Sequence, residues 1–369
     1  MNTADQLPRN VLTRERLLTT RSCAWHESFG RDESFATTAP PGLGHLPAAL
    51  AEKVGTHRLD KPFIAEVRDV LLCGPRAVGV TSGEAGVILE TALNRTDVLA
   101  QSVPPQLIDP GFSPAEMVAE QSVPAACSLV NLWSGNYFHW TLECLTQIEG
   151  LRRWEKHAGM RAKVIVEQRF PDWKLETLQK LGVSPDHLVR WQGHTVQVDR
   201  LVVPSMRRDA GRTSPAACRW LAGEMFAGVM HHPARPTRVY LSRQHAARRR
   251  VSNEDELMSY LVEKGFRICI PEEMTVRQQI ETFRDASVIV APHGAALTNL
   301  IYADPGATVV ELFGGRISAC YATLCQSLGL RYAYFMGHAK GEDVEADPFL
   351  LDSLLKRLLD APPSARKAA

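Results

Sequence analysis

The chain has 369 residues, 45% of them hydrophobic, enough for two domains with a core each. Its 42 basic and 41 acidic residues nearly cancel, so global charge argues for neither nucleic acid nor a strongly anionic surface as partner. The eight cysteines form no C-x-x-C pair and read as reduced, mostly buried thiols of a cytoplasmic protein, against a disulfide framework or a zinc site.

Residues 1–60 mix Pro, Gly and charge with weak periodicity and read as an N-terminal arm or cap. The first twenty carry Arg9, Arg14 and Arg16 without an apolar run typical of a secretion signal. Nowhere do about 18 apolar residues follow one another, so no membrane span is expected. From Phe63, short β-like runs broken by glycine (63–70, 77–81, 86–89) predict a small antiparallel patch with a turn at 82–84. A loop at 111–114 then precedes an apolar run at 125–132.

The stretch 133–143 is the first that carries chemistry. Gly135-Asn136 makes a helix start, and Phe138, Leu142, Leu145 and Ile148 repeat at helical spacing as far as about Lys156. Asn136, His139 and Glu143 stand at i, i+3 and i+7, so one face carries an amide, an imidazole and a carboxylate. A buried, hydrogen-bonded histidine is the plainer reading of the same pattern.

Strands at 163–167, 187–191 and 196–203 alternate with a helix at 172–181, which predicts an α/β sheet. Residues 204–215 are polar and contain Gly211, marking a hinge between domains. A helix at 215–229 and Arg235-Pro236 lead into a strand at 238–241. The next loop carries Arg243, Arg248, Arg249 and Arg250 and ends at Asn253-Glu254, where a helix begins. Arginines in a loop at a sheet's carboxyl edge can neutralise a diphosphate through bidentate hydrogen bonds, although a solvated basic turn would look the same.

Strand, helix and strand at 266–270, 275–283 and 287–291 feed Pro292-His293-Gly294-Ala295-Ala296-Leu297-Thr298-Asn299. Here a tight loop opens a short helix whose N-terminal amides favour a phosphate. Gly294 is free to take positive φ and to let an oxyanion approach the backbone. Glu311 ends a β-branched run and is expected at a strand's carboxyl end, where a carboxylate can hold two ribose hydroxyls. The plain alternative makes His293 and Asn299 loop ties and Glu311 an exposed strand end. A helix at 319–328, a strand at 331–335 and an amphipathic helix at 347–359 complete the pattern, before a tail from Ala361 that should fray.

Taken together, the anion-ready loop, the basic loop and Glu311 describe a nucleotide-diphosphate pocket, with the 136–143 face opposite it. An imidazole ordinarily titrates near ~6.5, which makes His139 the natural base for an attacking hydroxyl, with Glu143 orienting or replacing it. At Asn136-Tyr137-Phe138-His139-Trp140, Tyr240-Leu241-Ser242-Arg243 with Arg249-Arg250 and Asn253-Glu254, and 292–299 with Val310-Glu311-Leu312, the chain resembles the bacterial branch of glycosyltransferase family 61.

That resemblance implies an inverting, metal-independent glycosyltransferase of the α/β GT-B type, two Rossmann-like domains facing a central cleft. The implied parts are an arm (1–60), an acceptor-side domain (61–205), a donor-binding domain (206–340) and a C-terminal helix and tail (341–369). Arg243, Arg248, Arg249, Asn253, His293, Gly294, Ala295, Ala296, Asn299 and Glu311 would bind the donor; Asn136, His139 and Glu143 would serve the acceptor. No cofactor is implied beyond the nucleotide-diphosphate sugar, with a UDP-sugar as first choice. The acceptor would be a glycan or lipid-linked glycan of capsule or lipopolysaccharide assembly, and the reading allows a peripheral membrane contact and a homodimer.

An epimerase or hydrolase acting on sugar nucleotides would share the pocket, and so would a non-catalytic nucleotide- or glycan-binding protein. A dinucleotide oxidoreductase is disfavoured, because no G-x-G-x-x-G follows an early strand.

Overall fold

The computed structural model describes residues 7–83, 85–109, 116–209, 211–230 and 237–360. The loop expected at 111–114, the dipeptide Arg235-Pro236 and the tail from Ala361 lie outside the described residues, as does Glu84 of the expected turn. The chain divides into two compact units, one from the described residues of Met1–Glu33 and Leu59–Asp209, the other from those of Ser34–Arg58 and Ala210–Ala369. Residues 1–60 therefore contribute to both units.

The first unit is built on a nine-stranded mixed sheet. Its spatial order is Val11–Leu12, Val87–Ile88, Val78–Thr81, Phe63–Cys73, Val196–Pro204, Gln121–Ser128, Lys163–Glu167 and Leu188–Trp191, with Cys23–Ser28 also pairing with Phe63–Cys73. The antiparallel patch read from the glycine-broken runs is present at Phe63–Cys73, Val78–Thr81 and Val87–Ile88. The last four strands of the path run parallel, in registers such as Val198 with Val123 and Ile165 with Ser128. Valines and isoleucines of these strands fill one core with Leu12, Leu17 and Trp191. Buried Glu66 is tolerated inside this sheet because Trp154 Nε1 (2.9 Å) and Arg200 Nη2 (2.7 Å) both donate to its Oε2.

The second unit carries a six-stranded, wholly parallel sheet in the order Phe266–Cys269, Thr237–Leu241, Ala286–Pro292, Thr308–Phe313, Arg331–Met336, Gly42–Leu43. The strands from 237 to 336 thus lie in the order second, first, third, fourth, fifth, and the winding reverses between Thr237–Leu241 and Ala286–Pro292. In open α/β sheets, ligands bind outside the carboxyl ends of the strands at such a reversal. The helix Pro348–Asp360 lays Leu351, Leu354, Leu355 and Leu358 onto this sheet's core, as its i, i+3, i+4, i+7 pattern requires. The strand Gly42–Leu43 and the hairpin His338–Lys340 with Asp343–Glu345 are among the elements that had no signal in the sequence.

The 204–215 stretch carries the chain from the first unit to the second. Its first residues are pinned to the first unit. Phe63 N–H donates to Ser205 Oγ (2.9 Å), Met206 N–H to Glu90 Oε2 (3.3 Å) and Arg208 Nη1 to Glu143 Oε1 (2.8 Å), while Arg207 pairs with Glu149. All eight cysteines are free thiols, six of them buried.

Candidate functional site

The loop after Thr237–Leu241 and the loop after Ala286–Pro292 leave the sheet side by side at the reversal point. Arg243 opens the first of them. Glu254 Oε1 fixes its start by accepting from Tyr240 Oη (2.8 Å) and from the Arg243 main-chain N–H (3.1 Å). The Arg243 guanidinium is then held by main-chain carbonyls, Nε donating to Arg249 O (3.1 Å) and Nη2 to Arg248 O (3.1 Å). Its third nitrogen, Nη1, lies over Gly294, in the space a Cβ there would fill. Burial first, then the like charge of Arg249, hold this guanidinium below its usual value. Arg249 has φ of 59°, left-handed for a residue with a Cβ, and its buried Nε has no hydrogen-bond partner. Two guanidinium groups crowded without a carboxylate in their hydrogen bonds have the charge and the donors that an anion would need.

Gly294 differs from expectation. Its φ is −176°, extended backbone open to any residue, so conformational freedom is not its purpose. A Cβ at this position would overlap Arg243, and glycine is what lets the guanidinium seat there. Ala295 and Ala296 are half-buried and begin a 3-10 segment, Ala295–Tyr302, whose N-terminal residue has no side-chain cap.

Glu311 also departs from the expected strand end. It is the fourth residue of Thr308–Phe313 and is 0% exposed. The charge is tolerated there because Oε1 lies 2.5 Å from His293 Nδ1 and Oε2 accepts from Tyr332 Oη at 2.6 Å. Burial, then Glu311, raise the Tyr332 phenol well above its usual value, so it stays a donor. Both carboxylate oxygens are occupied, so Glu311 is not free to bind ribose hydroxyls; it orients His293. With the carboxylate accepting at Nδ1, Nε2 is the His293 nitrogen left for another contact. The imidazole is stacked on Phe313 (5.7 Å between centroids) and tilted against Tyr321 (5.4 Å).

Other expected donor residues lie apart from this corner. Asn299 is buried, its Nδ2 donating to Gln279 Oε1 (2.7 Å), and ties the 3-10 segment to the neighbouring helix Val276–Arg284. Asn253 exchanges hydrogen bonds with the Ala346 backbone (2.9 and 3.0 Å), anchoring the chain before the last helix. Arg248 is exposed, with Glu342 3.8 Å from its Nη1. These three are structural or peripheral in this conformation. Tyr332, Tyr321 and Phe313 were missed because each looks like an ordinary aromatic of a buried strand or helix.

The first unit carries the other half of the expected chemistry. Asn136 caps its helix, its Oδ1 accepting from Phe138 N–H at 2.9 Å. The helix continues from Tyr137 to Ala158 with a π-helical turn at Trp140–Cys144 and a 3-10 turn at Leu145–Gln147. Such turns interrupt helices at functional sites more often than elsewhere. Here the π-helical turn begins directly after His139 and contains Glu143.

Glu143 Oε2 and His139 Nδ1 lie 2.9 Å apart, out of line for a hydrogen bond and otherwise without partners. Glu143 Oε1 accepts from Arg208 Nη1 (2.8 Å), and Arg208 in turn covers the Phe138 ring (4.9 Å). Glu143 is nearly sealed, whereas the His139 side chain keeps 23% of its surface exposed beside Trp133 (5.0 Å between centroids). Of the two, the histidine is the more exposed, and the carboxylate lies against its Nδ1. Arg208 gave no sequence signal, being 65 residues away from its partner.

Beneath the cap, Lys174 pairs with Glu167 and donates to Ser134 O (2.8 Å), while Ser134 Oγ donates to Glu167 Oε1 (2.7 Å). This triad, with Lys174 and Ser134 buried, fixes the 133–136 loop.

Among the described residues no group of three His, Cys, Asp or Glu side chains is arranged to hold a metal ion, and no helix is long and apolar enough to cross a membrane.

Residues 137–310 match the family described as Glycosyltransferase 61, a span that contains both histidines and both guanidiniums and stops one residue before Glu311. Over 98 residues the chain is 32% identical to the EGF domain-specific O-linked N-acetylglucosamine transferase of Drosophila melanogaster, covering 26% of this chain and 18% of that protein. The chain thus aligns with less than one fifth of that relative's length. Over residues 137–310, this chain is similar to the glycosyltransferases of family 61.

Proposed function

We propose that the protein is an inverting glycosyltransferase of the GT-B type that moves a sugar from a nucleotide-diphosphate donor to a glycan hydroxyl. The observation that carries the reading is the Arg243 guanidinium seated over Gly294 with the like charge of Arg249 beside it, at the winding reversal of a parallel sheet. A diphosphate seated there would accept from Arg243 Nη1, the Arg249 guanidinium and the amides of Ala295 and Ala296.

In the step we propose, His139 Nε2 takes the proton of the acceptor hydroxyl as its oxygen bonds to the anomeric carbon. The bond from that carbon to the diphosphate oxygen breaks on the opposite face. Its electron pair leaves with the diphosphate, whose charge the guanidiniums stabilise. Glu143, held by Arg208, keeps the imidazole oriented.

The name of the fly relative speaks of N-acetylglucosamine transfer, so UDP-N-acetylglucosamine is the first donor to assay. Surface polysaccharide or lipopolysaccharide is the acceptor class proposed, with a lipid-linked glycan among the candidates and a peripheral membrane contact in that case. An epimerase or hydrolase would need the same diphosphate corner and would also use a base, so the requirement for a glycan acceptor is what separates transfer from them.

The test is a thermal-shift panel of nucleoside diphosphates and their sugars, followed by turnover. A ligand at 100 times its Kd should raise stability by about 2.7 kcal/mol. Nucleotide release that requires a glycan acceptor supports transfer. Release without acceptor supports hydrolysis, and no response to any nucleotide rejects the reading.

A further inference from the structure

The basic loop does not hold its own shape. Arg249 sits in the left-handed region with a buried, unpartnered Nε, a conformation that persists only where its surroundings over-determine it. The hairpin His338–Lys340 with Asp343–Glu345 supplies those surroundings. Asp343 Oδ1 accepts from the Arg250 main-chain N–H (2.9 Å), and its Oδ2 accepts from Arg250 Nε (3.3 Å) and Nη2 (3.2 Å). Val344 N–H donates to Arg250 O (2.9 Å), Ser252 N–H donates to Val344 O (2.8 Å), and Val251 bridges Val344 in parallel.

From the other side the hairpin is seated on glycines. A Cβ at Gly314 would overlap the Asp343 carbonyl, one at Gly315 the Gly341 carbonyl, and one at Gly337 the Glu345 carbonyl. The hairpin is therefore pressed against the loop after Thr308–Phe313 while it grips the loop after Thr237–Leu241. Just before that grip along the chain, the carbonyls of Arg248 and Arg249 are the acceptors that aim the Arg243 guanidinium over Gly294.

We infer that this hairpin sets the geometry of the donor-phosphate corner, with Asp343 as the positioning residue that holds Arg250 and so fixes the turn at Arg249. The inference rests on the donor-site reading above and deepens it. Asp343 touches no substrate. It acts by locking the turn whose carbonyls hold Arg243 and whose side chain presents Arg249.

The test titrates the full-length protein and its variants with uridine diphosphate and with uridine, the second reporting the base and ribose alone. D343A should weaken uridine diphosphate binding about tenfold or more and leave uridine within twofold. G314A, which pushes the hairpin from its opposite side, should do the same, and it decides the question if D343A fails to fold. D343N keeps the acceptor for Arg250 N–H and should fall between wild type and D343A. R249G, which relieves the left-handed strain and removes the guanidinium, should bind uridine diphosphate more weakly while melting at a higher temperature. K340A alters only an exposed pair with Glu345 (3.0 Å) and should bind as wild type does.

Folded D343A and G314A that bind uridine diphosphate as wild type does overturn the inference and leave the donor site standing. Equal loss of uridine and uridine diphosphate overturns it too, because a merely structural hairpin would weaken both. Wild type that binds no nucleoside diphosphate overturns the donor-site reading, and this inference with it.

Discussion

A side chain on residue 294 would occupy the space that the guanidinium of Arg243 fills, so the glycine of one loop and the arginine of its neighbour are a matched pair. The first prediction follows. G294A leaves the backbone unstrained, since φ is −176°, but displaces Arg243. Nucleoside diphosphate affinity should fall about tenfold, the worth of roughly one charge-assisted hydrogen bond, with a melting temperature close to wild type. Titration calorimetry and a thermal melt on the same sample check both halves.

Removing the Glu311 carboxylate should be costly in itself. It leaves Tyr332 Oη without its acceptor and His293 Nδ1 without its partner, both in a buried site. Breaking such a buried network costs about 3–5 kcal/mol, so E311A should show a large loss in denaturant titration. Y332F removes one hydrogen bond and should cost about 1 kcal/mol.

The roles within the first-unit trio are separable by kinetics. H139A should lower kcat by about 10²- to 10⁴-fold, the usual range for loss of a general base, with donor affinity unchanged. E143Q and R208A should lower kcat by less, again without moving donor Kd, because they act through the imidazole. If H139A changes donor Kd and kcat in proportion, the histidine is a binding residue and the base lies elsewhere.

Glu90 gives a prediction for pH. Burial pushes its carboxyl up from 4.5 to about 7, offset only in part by the Met206 N–H and Arg14. A carboxyl whose folded pKa is raised binds its proton more tightly when folded. Its stabilising effect is full below about pH 4.5 and is lost as pH rises toward 7. The loss should be on the order of 3 kcal/mol between pH 4.5 and pH 8, and E90Q should abolish it. Urea midpoints of both proteins at three pH values measure this.

Much of this fold is legible in the sequence wherever a run of β-branched residues ends in a turn former. Ala286–Pro292 and Thr237–Leu241 are such runs, and the loops that follow them carry His293 and Arg243. The amphipathic helix Pro348–Asp360 was equally plain from its leucine spacing.

What escaped the sequence depends on partners far along the chain. Glu311 looked like a strand end because it closes a β-branched run, and its acceptability inside the sheet rests on His293 and Tyr332. Gly42–Leu43 is two residues long, and the strand His338–Lys340 is exposed throughout, so neither has a periodicity to read. Gly294 suggested a turn on its own and becomes intelligible only with Arg243 above it.

The central claim is that Arg243 and Arg249 bind the diphosphate of a sugar nucleotide. Calorimetric titration of wild type, R243A and R249A with uridine diphosphate measures it most directly. Wild type should bind, R243A should lose about 2–3 kcal/mol of binding free energy, a factor of roughly 30 to 150, and R249A should lose a comparable share. Uridine diphosphate affinity in R243A equal to that of wild type would contradict the account.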